Sequence, residues 1–138
     1  MELSRIKDSL ENGLLSFPIT DFDAAGQFNA ETYKSRLEWF LEHDISSIFI
    51  AGGTGEFFSI DEHEYEVIVK VSVETVKERV PVISSTGKSV KEGIRLAAIA
   101  EKAGVNSNVL SDHEALDPLS GTSVLNAIPV RVWAQASV

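Results

Sequence analysis

At 138 residues and 43% hydrophobic content, the chain carries enough apolar material for one packed domain. Its 12 Lys and Arg against 21 Asp and Glu give a formal charge of −9, which argues against nucleic acid and membrane as partners and leaves any anionic ligand to local donors. The absence of cysteine excludes disulfides, thiolate metal centres and thiol nucleophiles. Residues 2 to 11 alternate charged and apolar positions, which predicts a short amphipathic helix stopped at Gly13 rather than the apolar stretch of a signal peptide. No run approaches the roughly 18 apolar residues of a membrane span, and the chain reads as cytoplasmic. Next, "GLLSFPITDFD" predicts a buried strand that gives way to a polar loop near Pro18. Asn29 caps a predicted helix whose apolar positions Tyr33, Leu37, Phe40 and Leu41 share one face.

The run "SSIFIA" predicts a second strand, followed after a glycine-rich turn by a helix from Asp61 with Glu64 closing a capping box. That helix carries Tyr65, Ile68, Val69, Val73 and Val76 on one stripe. A third strand is expected in "VPVIS" from Val80. A third long helix follows, with Ser89 and Glu92 as its capping box, Val90, Ile94, Ala97 and Ala98 as its buried stripe, and Gly104 as its C-cap. A fourth strand is compatible with Asn108 to Ser111. Short apolar strands alternating with amphipathic helices indicate repeated βαβ units and a parallel sheet, so the chain is α/β up to Gly104. Residues 105 to 138 change character: they hold one basic residue, Arg131, and no clear helical period. They read as a divergent tail, frameshifted or disordered.

The chemistry concentrates in "IFIAGGTGEFFSIDEHEYE", residues 48 to 66. Gly52, Gly53 and Gly55 around Thr54 permit positive φ and close approach of a ligand to the main chain, and consecutive N–H groups in such a turn can form an anion-binding concavity. The alternative is a sharp turn with no ligand. A second candidate is Thr86-Gly87-Lys88-Ser89 between a strand and a helix, half of a phosphate-binding loop whose first glycine position is occupied by Val82. Without that glycine the expectation is a helix cap with a solvated lysine. His43, His63 and His113 lie in separate segments with no metal-ligand spacing, and Asp61, Glu62 and Glu64 are better explained as charges at a helix N-terminus, so no metal or other cofactor is expected. Tyr33 and Tyr65 fall on apolar stripes and read as core. Trp133 offers no interpretable chemistry.

Three runs together, "GLLSFPITDFDAAGQFNAETY", "RLEWFLEHDISSIFIAGGTGEFFSIDEHEYE" and "VPVISSTGKSVKEGIRLAAIAEKAG", resemble the N-terminal half of the dihydrodipicolinate synthase and N-acetylneuraminate lyase superfamily over residues 13 to 104. Within it, "FPITDFD" and "GGTGEFFS" are most similar to the 5-dehydro-4-deoxyglucarate dehydratase branch. The resemblance implies an incomplete (β/α)8 TIM barrel of about three to four βα units. It also implies an activity in which a lysine Schiff base removes water and carbon dioxide from a keto sugar diacid to give 2,5-dioxopentanoate. The positions that would hold the 2-keto acid carboxylate are Gly53 and Thr54, supported by Gly52 and Gly55.

Departures from the family pattern set limits. Many relatives have two threonines where this chain has Gly53 and Thr54, so one hydroxyl is lost from a proton relay. Ser85 stands where similar dehydratases carry more glycine and is expected to crowd the barrel mouth. No segment matches the family's active-site tyrosine or Schiff-base lysine, neither Lys88 nor Lys102 takes that role, and no catalytic residue is assigned. A full barrel needs about 250 residues. The segment "GTSVLNAIP" weakly echoes a stretch near the family's last strand. The expectation is thus a truncated dehydratase relative, inactive alone and prone to self-association through an unpaired sheet edge. The alternatives are a non-enzymatic half-barrel from a disrupted coding sequence, which the downstream reading frame distinguishes, and a nucleotide binder through Gly87, Lys88 and Ser89.

Overall fold

The computed structural model describes residues 1–111 and 127–128. In chain order its elements are α1 (Leu3–Glu11), β1 (Leu14–Ser16), α2 (Ala30–Leu41), β2 (Ile45–Ile50), α3 (Glu62–Val76), β3 (Val82–Gly87), α4 (Val90–Ala103), β4 (Ser107–Ser111) and β5 (Ala127–Ile128). Strands β1 to β4 lie side by side in sequence order and pair in parallel, each reached through one helix, as the alternating pattern requires. The two-residue β5 adds to β4 antiparallel, with Val109 opposite Ala127. Of the "GTSVLNAIP" segment in the tail, only Ala127 and Ile128 fall within the described residues; Arg131, Trp133 and His113 lie outside them.

Helix starts follow the capping chemistry. Asn29 accepts from the Thr32 amide, and Asp61–Glu64 and Ser89–Glu92 both close reciprocal capping boxes. Gly104, at φ +92°, ends α4 in the left-handed conformation. The end of α3 has no glycine. Lys77 and Glu78 take positive φ there, and the Arg79 side chain holds the turn by donating to Val76 O at 3.0 Å and Thr75 O at 2.7 Å while forking onto Glu38 of α2 at 2.8 Å.

The main core lies between sheet and helices, where Tyr33, Leu37, Ile48, Ile50, Ile68 and Val69 are fully buried. Each aliphatic there contributes about 1.5–3 kcal/mol of transfer free energy. A smaller cluster of Phe49, Ile83 and Val109, with Leu10 and Leu15 against it, occupies the opposite face of the sheet. The stripes of α2 and α3 match the sequence pattern, with Phe40 and Leu41 partly buried. That of α4 is rotated: Gly93, Leu96, Ala97 and Ala100 face inward, whereas Val90 is 77% exposed and Ala98 is exposed. Close approach explains the rotation, because a Cβ on Gly93 would stand 3.3 Å from Gly87 O and Thr86 Oγ1 donates to Gly93 O at 2.7 Å. The helix presents its smallest residue, rather than Val90, to the strand end. β1 is also shorter than its apolar run, ending at Ser16 ahead of buried Pro18 and leaving Phe17 and Ile19 partly exposed.

Candidate functional site

Because the four strands run the same way, the loops after β1, β2 and β3 gather at one edge of the sheet, the edge where ligands of parallel α/β folds bind. The glycine-rich turn after β2 lies there. Its backbone differs from the expected one: positive φ belongs to Ala51 (+47°) and Glu56 (+61°), not to Gly52, Gly53 or Gly55. The glycines serve contact instead. A Cβ on Gly55 would stand 3.1 Å from Ala51 Cα and Gly52 N, so glycine lets the turn close on itself without displacing that backbone, while Gly53 faces open space. The amides of Gly55 and Phe57 both donate to Gly52 O, at 3.0 and 3.1 Å, and that of Glu56 to Gly53 O at 3.3 Å.

Gly53 and Thr54 are exposed, and among the described residues their amides donate to no acceptor. Thr54 Oγ1 makes only a long contact to Phe17 O, 3.4 Å, at the limit of a hydrogen bond. Thr20 from the β1 loop fixes the turn from the other side by donating to Gly55 O at 2.7 Å in a buried bond. Thr54, Thr20, Ile19 and Phe22 line an adjacent cleft of about 480 Å³, whose remaining wall includes the carboxylates Glu56 and Glu64. Two acidic groups make that cleft a poor place for a diacid. The amide edge of Gly53 and Thr54 is the part suited to a carboxylate.

Behind the turn, β3 carries a polar run. The Tyr65 hydroxyl donates to Ser85 O at 2.7 Å and lies 3.0 Å from Ser84 Oγ, which in turn bonds the side chain of Asn108. Both tyrosines are buried, as their stripe positions required. Burial pushes the Tyr33 hydroxyl up to about 12, against a smaller lowering from its Ser72 partner. Burial also raises Tyr65, opposed by its hydrogen bond to Ser84.

Lys88 is exposed, but its ammonium is engaged. Its Nζ donates to Ile60 O at 2.6 Å and lies 5.5 Å from the Phe57 ring centroid, and its backbone takes a φ of +65°. The Glu92 carboxylate occupies the N-terminus of α4, taking the Ser89 amide at 3.1 Å and the Ser89 hydroxyl at 2.5 Å. A phosphate at Gly87, Lys88 and Ser89 would therefore meet a carboxylate and a lysine already engaged elsewhere, which argues against the nucleotide reading. All seven lysines of the sequence, Lys7, Lys34, Lys70, Lys77, Lys88, Lys91 and Lys102, are exposed, and none lies within a strand. His43 and His63 are exposed, and no cluster of three metal-binding side chains exists among the described residues. No helix among the described residues is long and apolar enough to cross a membrane.

The sequence profile of the dihydrodipicolinate synthetase family matches residues 10–110. The chain belongs to that family. The family match continues past Gly104 into β4, beyond the end of the resemblance recognised in the sequence. A 5-dehydro-4-deoxyglucarate dehydratase from Pseudomonas putida is 46% identical over 113 residues, which are 82% of this chain and 37% of the relative. The chain thus spans little more than a third of that relative's length. Among solved structures, the 4-hydroxy-tetrahydrodipicolinate synthase of Methylacidiphilum fumariolicum SolV superimposes with a TM-score of 0.68 at 31% identity, over 71% of this chain and 33% of that one. YagE, a prophage protein from E. coli K12 solved in complex with pyruvate, gives 0.68 at 26% identity, over 72% and 34%. The four-stranded parallel sheet with its helices is a partial barrel of this family's fold.

Proposed function

We propose that this chain carries the carboxylate-holding segment of a site for 2-keto acids or keto sugar diacids of the 5-dehydro-4-deoxyglucarate dehydratase type. The observation that carries the reading is the pair of exposed, unengaged amides at Gly53 and Thr54 at the C-terminal edge of β2. In this reading both N–H groups and Thr54 Oγ1 donate to one carboxylate, Thr54 giving up its weak contact to Phe17 O. Gly52 and Gly55 shape the turn. The pyruvate bound to YagE and the sequence likeness to the dehydratase support the ligand class.

The chemistry of dehydration and decarboxylation is not carried by this chain's own lysines. A Schiff-base lysine needs a desolvated setting to hold a neutral amine near pH 7, and each of the seven here is exposed. The chain is a truncated, inactive relative in a cytoplasmic setting, with a barrel part that runs on from residues 1–104 through β4 and a divergent tail after it; a non-enzymatic half-barrel product is the competing form of the same reading. Pyruvate titration of the full chain, followed by amide NMR, tests it. Shifts are expected at residues 52 to 55 with millimolar affinity, since one carboxylate provides only about −4 kcal/mol. Thr54→Val is expected to abolish them, and borohydride is expected to trap no single lysine adduct. Silence at residues 52 to 55, or one stoichiometric adduct, overturns the reading.

Self-association belongs to the same proposal, because β1 has a strand neighbour on one side only among the described residues. Sedimentation velocity is expected to show species larger than a monomer. A single monomeric boundary across a tenfold dilution series argues against it.

A further inference from the structure

Strand β3 alternates its side chains between two environments. Ser84 turns to the helix layer, where it meets Tyr65 and Asn108, and Thr86 does the same by donating to Gly93 O. The period of two places Ser85 on the opposite face with Ile83. Its main chain is pinned there by the 2.7 Å bond from Tyr65 to Ser85 O. Its side chain is not. Ser85 is 5% exposed, yet among the described residues its hydroxyl has no hydrogen-bond partner. A Cβ built on Gly52 would stand 3.7 Å from Ser85 Oγ, so the hydroxyl borders the space that the missing side chain of Gly52 leaves open. Among the described residues the fully buried polar side-chain atoms without a partner are Ser47 Oγ and Asn108 Nδ2, so the unpaired Ser85 hydroxyl still opens onto its surroundings. Here it adjoins the turn that presents the free amides of Gly53 and Thr54.

We infer that Ser85 is a specificity-determining residue whose hydroxyl donates to the 2-oxo oxygen of a 2-oxo acid; this rests on the carboxylate reading of Gly53 and Thr54. A 2-oxo acid presents two kinds of acceptor one carbon apart, an ionised carboxylate and a neutral ketone oxygen. The turn supplies amides and a hydroxyl for the first. Ser85, a neutral donor across the gap left by Gly52, suits the second, whereas the nearby cation Lys88 is occupied by Ile60 O. The inner-face serine thereby separates 2-oxo acids from simple carboxylates of the same size, because a ligand without the ketone leaves the hydroxyl unpaired.

The test compares pyruvate with propionate, which has the same carbon skeleton without the oxo group, by amide NMR titration of the full chain. The wild type is expected to bind pyruvate about fivefold tighter than propionate, the scale of one neutral hydrogen bond. Ser85→Ala is expected to bring pyruvate down to the propionate level and to leave propionate unchanged. Gly52→Ala is an independent second variant, since its methyl fills the same space with Ser85 intact; it is expected to erase the same preference. A wild type without preference, or variants that keep it, overturns the role of Ser85 while the carboxylate site stands. Absence of any response at Gly53 and Thr54 in the wild type removes both.

Discussion

Gly13→Ala is expected to destabilise the fold by about 3 kcal/mol, at the upper end of overpacking substitutions. Gly13 joins α1 to β1, and a Cβ there would stand 2.2 Å from Ser46 Cβ and 3.5 Å from Ser46 Cα. A contact that short cannot be relieved by a rotamer change, because Cβ moves only with its backbone. The strands β1 and β2 would have to separate where their pairing begins, at Leu14 and Ile45, beside a register irregularity that already weakens the ladder. Ser46 Oγ also donates to Leu14 O at 3.1 Å and would be pulled away. Thermal unfolding followed by circular dichroism should show a midpoint lower by about 10 °C. The double variant with Ser46→Gly removes the opposing atom and should recover most of the loss. A single variant with an unchanged midpoint would mean that the two strands are not held at this spacing.

Loss of the fold in alkali is the second large effect. Both tyrosines of the sequence, Tyr33 and Tyr65, are fully buried or nearly so, and burial raises both above the unfolded value near 10. A raised value means that the folded chain keeps its phenol proton where the unfolded chain has lost it. The stabilising difference is complete below pH 10 and disappears as pH rises through the folded values. For Tyr33, pushed up to about 12, the loss amounts to about 3 kcal/mol, and Tyr65 adds to it in the same direction. Because no tyrosine is exposed, the whole tyrosinate absorbance should appear together with the loss of far-ultraviolet dichroism, in one step above pH 10. A tyrosinate band that grows around pH 10 while the helical signal stays intact would place one ring in solvent and contradict the packing.

The architecture was legible because three of the four described helices, α2, α3 and α4, carry their own start signal in neighbouring residues. Asn29, Asp61 with Glu64, and Ser89 with Glu92 act over three positions, a range that sequence reading resolves. What depended on partners distant in sequence was not legible. The face that α4 buries follows from how closely Gly93 meets Gly87, which overrides the apolar spacing of Val90 and Ile94. The end of α3 lacks the usual glycine, and its fixing by Arg79 and Glu38 joins residues far apart in the chain. Lys88 is exposed as expected, but nothing local predicts the bond from its ammonium to Ile60 O.

The candidate site divides in the same way. "GGTGE" marked the turn correctly as a strand-to-helix turn, but the left-handed backbone sits on Ala51 and Glu56, which composition would not select. The turn overrides local preference because Gly55 must pack against Ala51 and Gly52, so the strain falls on the residues flanking the glycines. Ser85 carried a signal only as a departure from a glycine-rich pattern. Its relation to Gly52 arises from pairing between β2 and β3, with Ile50 opposite Ser84.

The short β5 gives the sheet a direction of growth. It runs against β4, using hydrogen-bonding groups on the outer side of Asn108 and Val109. A (β/α)8 barrel closes with every strand pointing the same way, and the next strand of such a barrel would have to approach β4 along that side. Any polypeptide supplying further parallel strands must therefore displace Ala127 and Ile128 or begin at β1. Complementation by a separate chain is then a competition for one strand's hydrogen bonds, with its outcome set by how firmly two residues hold their place.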